Sequence, residues 1–141
     1  MKYLVDANVL SEPTKSEPQT SVVLWLNENE KEICVNPIVL GEMKYGILML
    51  PEGKRRRALL DWFHKGVIRI PLLKLDSNTA HCWAQLLSDL RSKGNAMPVK
   101  DSLIAASASQ HNLTVVTRNV KDFRSTGLRV LDPFTPPRDP R

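Results

Sequence analysis

Cysteine, aromatic residues and long apolar runs are all scarce in this chain, and each shortage closes off a class of protein. Only two cysteines occur, Cys34 and Cys82. Both lie inside apolar segments without C-x-x-C spacing, which reads as buried thiols in a reducing cytosol rather than a disulfide framework. His64, His81 and His111 are scattered, with no H-x-x-H or C-x-x-C partner, so no zinc site is written here. No segment approaches the roughly 18 apolar residues of a membrane span. The start, MKYLVDANVLS, has a lysine but too short an apolar run before Asp6 for a signal peptide. A cytoplasmic protein is therefore expected, with no membrane partner. Aromatics make up 6% of the chain and do not interleave with the basic residues, so stacking platforms for bases are not expected.

What is present suits one domain. The chain has 141 residues, 42% hydrophobic and 25% charged, with neither an internal repeat nor a dividing linker. A net charge of +5 and a pI near 9.4 lean towards an anionic partner, nucleic acid first, although charge alone fits a plain basic protein equally well.

Strand and helix signals alternate. Tyr3-Leu-Val5 predicts a short buried strand ending at Asp6, with Asn8 and Ser11 offering helix caps. Gln19 to Glu30 carries apolar residues at near-helical spacing. Glu32 to Val35 predicts a second strand, and Asn36-Pro37 opens a helix with Asn36 as cap and Glu42 in its second turn. A helix follows over Glu52 to Phe63, stopped at Gly66, then a strand over Val67 to Ile70. Asp76 or Ser77 caps a long helix closed near Gly94. Pro98 at a first helical position and the run SLIAASAS predict another helix, stopped at His111-Asn112, before the strand Leu113 to Val116. Leu128 to Leu131 predicts a last strand. The expected fold is α/β, a parallel sheet of about five short strands flanked by helices on both faces, with residues 1–134 forming the domain and 135–141 a proline-rich tail.

In such a sheet ligands bind beyond the carboxyl ends of the strands. Asp6 leaves the first strand at that edge, and Asn119 and Asp122 follow a later strand there. Glu42 and Asp101 lie near the starts of helices that begin at the same edge. Singly, each has a plainer account: Asp6 as strand end or cap, Glu42 as a solvated glutamate, Asp101 as an acid at the positive end of its helix, Asn119 and Asp122 as turn residues. Together they repel one another unless a cation neutralises them. An all-oxygen set favours Mg²⁺ or Mn²⁺ over zinc. The matching chemistry is phosphodiester hydrolysis, one ion activating a water and a second steadying the leaving oxygen.

The segments YLVDANVLSE, VLGEMKYGI and KDSLIAASASQHNLTVVTRNVKDF resemble, in order, the motifs of the PIN-domain ribonucleases, and more narrowly the VapC toxins of toxin–antitoxin pairs. The resemblance implies that Asp6, Glu42 and Asp101 bind metal, with Asn8 supporting Asp6. Asn119 stands where some relatives place a fourth aspartate, a departure that Asp122 would partly compensate. Thr117 fits the T-R-N elbow, where its hydroxyl would orient metal water or a phosphate, and Arg118 is a candidate phosphate contact or, equally, an exposed arginine paired with a carboxylate. The resemblance further implies an endoribonuclease acting on tRNA, ribosomal RNA or mRNA, a cognate VapB-like antitoxin and a homodimer. Trp25, Trp83, Ile47, Leu48 and Leu50 are candidates to line an antitoxin groove or dimer contact, or to be ordinary core. Arg55, Arg56 and Arg57 are candidate RNA contacts, although with Lys54 they spread over some 300° of a helix at about 100° each and cannot form one stripe.

Two rival readings stand beside this one. Asp6-Ala-Asn8-Val also resembles the D-x-D-x-T motif of haloacid-dehalogenase-like phosphatases, with an amide where the second acid belongs. Asn119 alternatively leaves a catalytically weak PIN domain that serves only as a binding partner.

Overall fold

The computed structural model describes residues 1–135, so the expected tail lies, apart from Thr135, outside the described residues. Its centre is a four-stranded, wholly parallel sheet in the order β2-β1-β3-β4, formed by β1 (Tyr3–Val5), β2 (Ile33–Cys34), β3 (Thr114–Val116) and β4 (Val130–Leu131). Seven α-helices join and cover the strands: α1 (Ala7–Leu10), α2 (Thr20–Glu28), α3 (Pro37–Leu48), α4 (Lys54–Lys65), α5 (Ser77–Ser92), α6 (Val99–His111) and α7 (Val120–Phe123).

The topology follows from parallel pairing. From β1 the chain crosses to β2 on one side, then returns past β1 to β3 on the other. Right-handed crossovers in opposite directions put α2 on one face and the α3–α6 segment on the other. The carboxyl ends of β1 and β3 therefore flank a switch point, where a crevice opens. Leu4, Val5, Val115 and Val116 are fully buried, as parallel strands covered on both faces should be. Helix α6 meets the sheet through Ile104, Ala105 and Ala108, none of them exposed. Its small side chains permit a close approach.

Local chemistry sets the helix ends. The Asn36 side chain accepts from Val39 N–H at 3.0 Å, with Pro37 opening α3 as its fixed φ favours. Asp76 caps α5 in a reciprocal box with Thr79. Asn112 ends α6 in the left-handed region at φ 54°. Two expected helix starts differ. The N-cap of α1 is Asp6, with Asn8 inside the helix, while Ser11 is its C-cap and also the N-cap of the 3₁₀ turn Glu12–Thr14. Pro98 has extended backbone and is the cap of α6, whose first helical residue is Val99.

The expected strand over Val67 to Ile70 is a 3₁₀ turn, Val67–Arg69. Arg69 N–H and Ile70 N–H are already turned back onto the carbonyls of Gly66 and Val67, at 3.0 Å each. β-branched residues thus lose here to the geometry at the end of α4. Beyond the turn the chain touches the sheet only as a single bridge, Val35 to Leu72, because Pro71 has a carbonyl to offer Val35 N–H but no N–H of its own. The fifth strand shrinks to that contact. Helix α4 likewise starts two residues late, leaving Glu52 outside it.

Candidate active site

The register of β1 on β3 pairs Val5 with Val116, so the next residues, Asp6 and Thr117, emerge side by side at the switch point. Asp6 N–H still donates to the Val116 carbonyl at 2.8 Å, which carries the pairing one residue past the strand. The Thr117 hydroxyl donates to Asp6 Oδ2 at 2.7 Å and accepts from Asn119 N–H at 3.0 Å. Asp6 Oδ1 accepts from Ala7 N–H at 2.8 Å. Asn8 binds the elbow from the other side, its carbonyl oxygen accepting from Arg118 N–H at 3.1 Å and its amide reaching Asp6 Oδ2 and Thr117 Oγ1 at 3.4 Å each. Asp6 is therefore both the cap of α1 and a buried, oriented carboxylate, 2% exposed.

Asp101, in the first turn of α6, is equally buried at 2%. Its pKa is pushed up from 3.8 to about 7, first by burial, then by the charge of Asp6 and by the neighbouring carboxyl of Asp122. These causes place Asp6 and Asp122 each near Asp101. Glu42, half-buried on α3, reaches the same neighbourhood: Lys100 Nζ donates to its Oε2 at 3.1 Å, and that ammonium is also attracted by Asp101 and Asp6. One oxygen of Asp101 and one of Glu42 (Oδ1 and Oε1) are buried without a hydrogen-bond partner among the described residues. Orphaned acceptors of this kind, in an all-oxygen donor set, fit a hard divalent cation. Among the described residues, however, no three acidic, histidine or cysteine side chains are gathered closely enough to hold an ion as they stand. The acids converge without forming a closed cage.

Asn119 joins this network only through its main-chain N–H. Its exposed side chain helps to wall an open cavity of about 700 Å³ together with Arg118, Lys121 and Asp122. Arg118 lies with its guanidinium 4.5 Å from the centre of the Phe134 ring and has no carboxylate partner among the described residues. The basic run divides as helical spacing requires. Arg55 enters a groove of about 310 Å³ shared with Asn8, Glu42, Ile47 and Leu50. Arg56 is half-buried and pairs with Glu52 at 3.7 Å, while Arg57 is exposed.

Of the other candidates, Trp83 is half-buried and donates to Ser102 Oγ at 2.9 Å, tying α5 to α6. Trp25 packs edge-on against Tyr3 with ring centres 5.0 Å apart. Leu48 is 43% exposed, beside the more exposed Tyr45 and Met49. Cys34 and Cys82 are free thiols, and burial pushes Cys34 up to about 11, far from thiolate chemistry.

Two residues in these motifs escaped the sequence reading. Glu12 is 4% exposed, pairs with Lys15 at 2.8 Å and accepts from Gln19 N–H at 3.0 Å, pinning the turn after α1. Lys100, beside Asp101, had one detectable signal: a cation in the first turn of a helix opposes the helix dipole.

The PIN domain family matches residues 3–127. The chain is 33% identical to the plasmid stability protein StbB of Pseudomonas syringae pv. tomato over 135 residues, 93% of this chain and 97% of that one. It is 31% identical to the toxin FitB of Neisseria gonorrhoeae over the same shares, and 30% identical to a tRNA(fMet)-specific endonuclease VapC of Shigella flexneri, covering 94% and 98%. Its fold superposes on a structure of FitAB bound to an IR36 DNA fragment with a TM-score of 0.90, at 29% identity and covering 96% of this chain and 98% of that one. The phosphatase alternative lapses, and Asn8 shows why: its amide fixes Asp6 and the Arg118 main chain and has no acid to give a leaving group. With three ordered motifs meeting at one switch point and the match spanning nearly all of the described chain, the protein belongs to the PIN-domain family, on its VapC-type toxin branch.

Proposed function

We propose that this chain is a divalent-metal-dependent endoribonuclease acting as the toxin of a cytoplasmic toxin–antitoxin pair. One observation carries the proposal: Asp6 and Asp101, from distant parts of the chain, lie buried at one rim, where Asp101 and Glu42 each keep an oxygen with no partner among the described residues. Asp6, Glu42, Asp101 and Asp122 would hold Mg²⁺ or Mn²⁺. A bound ion supplies an activated water and neutralises charge at the phosphodiester.

The protein's own contribution is placement. Thr117 and Asn8 keep Asp6 in one orientation. Arg118, beside Asn119 and Asp122, and Arg55, in the groove with Asn8 and Glu42, meet RNA phosphates, and Asn119 serves the outer groove. The overall positive charge draws the polyanion towards an acidic pocket that only a cation makes hospitable. The substrate class is cellular RNA, in keeping with the tRNA(fMet)-specific relative. The partner is a VapB-like antitoxin, in keeping with the FitAB assembly. Tyr45, Leu48 and Met49 form the exposed apolar surface for it or for a second copy in a homodimer. No helix among the described residues is long and apolar enough to cross a membrane.

The test is incubation of the purified protein with total cellular RNA, with and without Mg²⁺, mapping new 5′ ends. Discrete Mg²⁺-dependent ends that disappear in Asp6→Asn and Asp101→Asn proteins are expected. Full-rate cutting by Asp101→Asn, with contaminating nuclease excluded, sinks the proposal. The open arrangement of the acids favours one second reading, a PIN domain that binds its antitoxin or RNA without cutting. That version predicts no heat on titration with Mn²⁺.

A further inference from the structure

Lys100 is in an unfavourable place for a lysine. It lies in the first turn of α6, where the positive end of the helix dipole opposes a cation. Nothing in the helix explains its position, but the pocket does. Its ammonium is 3.1 Å from Glu42 Oε2 and is attracted at longer range by Asp101 and Asp6, so one monovalent cation holds one of the four acids and feels the charge of two more. Those acids come from the residue after β1, from α3 and from α6, and their mutual repulsion would otherwise work against the docking of α3 on α6.

We propose that Lys100 is the resident counter-ion of the acidic pocket, holding Glu42 while the pocket lacks a divalent ion and releasing it when one enters, so that Lys100 sets the affinity for metal. This rests on the metal-dependent reading given above. Glu42 is suited to the exchange. Oε2 accepts from the ammonium while the buried Oε1 has no partner, so the carboxylate faces both its lysine and the pocket. Lys100 is suited too. Its side chain is 54% exposed, so the flexible stem can carry the ammonium into water without repacking the core. A divalent ion and an ammonium around the same carboxylates repel each other. The residue that steadies the pocket without metal therefore weakens metal binding, and this also explains why the acids stand short of a closed cage.

The experiment is calorimetric titration of the metal-free full chain with MnCl₂, without RNA, beside melting curves with and without Mn²⁺. Wild type, Lys100→Met, Lys100→Gln and Lys100→Arg are compared. Removing the charge is expected to tighten Mn²⁺ binding by on the order of tenfold, to lower the metal-free melting temperature and to enlarge the rise that Mn²⁺ produces. Lys100→Arg, which keeps the charge, should stay near wild type. The polar Lys100→Gln guards against an effect of methionine on folding. Equal Mn²⁺ affinity in wild type and both neutral variants overturns the role of Lys100 while leaving the metal site standing. No binding by any of the four proteins overturns both. Binding by the neutral variants alone supports the exchange in its strongest form.

Discussion

Asn36 and Ser107 are joined by a hydrogen bond of 3.0 Å, Asn36 Nδ2 donating to Ser107 Oγ, with both residues fully buried. The bond ties the start of α3, which carries Glu42, to the middle of α6, which carries Asp101. A contact that touches neither acid thus helps to join the two helices that carry them. Ser107→Ala leaves the Asn36 amide unpaired and should destabilise the fold by about 1–3 kcal/mol. Urea unfolding should show a lower midpoint at unchanged slope. Asn36→Ala, which also removes the α3 cap, should cost about 1 kcal/mol more.

Thr117 acts through Asp6. Its hydroxyl donates to Asp6 Oδ2 and receives Asn119 N–H, so its role is to position the acid. Thr117→Val should lower RNA cleavage by roughly 10- to 100-fold and weaken Mn²⁺ binding, with circular dichroism unchanged. Thr117→Ser should restore most of both. A Thr117→Val protein with wild-type metal affinity contradicts the assignment.

The raised pKa of Asp101 makes the metal-free protein sensitive to pH. Because the folded value of about 7 lies above the ordinary 3.8, the folded state holds its proton more tightly than the unfolded state. The contribution of this group is therefore most favourable below pH 3.8, declines as pH rises and levels off above about pH 7. Asp101→Asn mimics the protonated form at every pH. In the absence of metal, its melting temperature should exceed the wild-type value by a margin that grows between those two limits. Saturating Mn²⁺ should close that gap. A margin independent of pH would show that Asp6 and Asp122 do not crowd Asp101.

Arg55 and Arg57 should differ as RNA contacts, since Arg55 enters the groove beside Glu42 and Arg57 does not line it. In anisotropy titrations with the Asp101→Asn protein, Arg55→Ala should reduce the salt slope of RNA binding by about 0.7, the value for one phosphate on a single strand. Arg57→Ala should change it little. Equal effects would mean diffuse charge attraction instead of a defined path.

Much of this arrangement is legible in the order of residues because the controlling forces are local. Asn36-Pro37 writes the start of α3, Asp76 the start of α5 and Asn112 the end of α6, each through chemistry confined to a few neighbouring residues. Once strands alternate with helices, topology brings Asp6, Asp101 and Asp122 to one edge. Local chemistry misleads where a distant partner decides. Val67 to Ile70 has strand-forming side chains, yet a strand needs a neighbour with free donors and acceptors. What the sheet meets there is Pro71 and a single bridge to Val35.

The sequence by itself determined the layered α/β plan and the sheet edge to which Asp6 and Asp101 are brought. Those follow from periodicity, caps and the handedness of crossovers, which the chain carries wherever it is. Only the tertiary structure decided how the acids face one another. It turned Thr117 towards Asp6, set Lys100 on Glu42 and left the Asn119 side chain in the outer groove. These are contacts between residues as many as 111 positions apart. Their geometry comes from strand register and helix docking, and no local propensity encodes either.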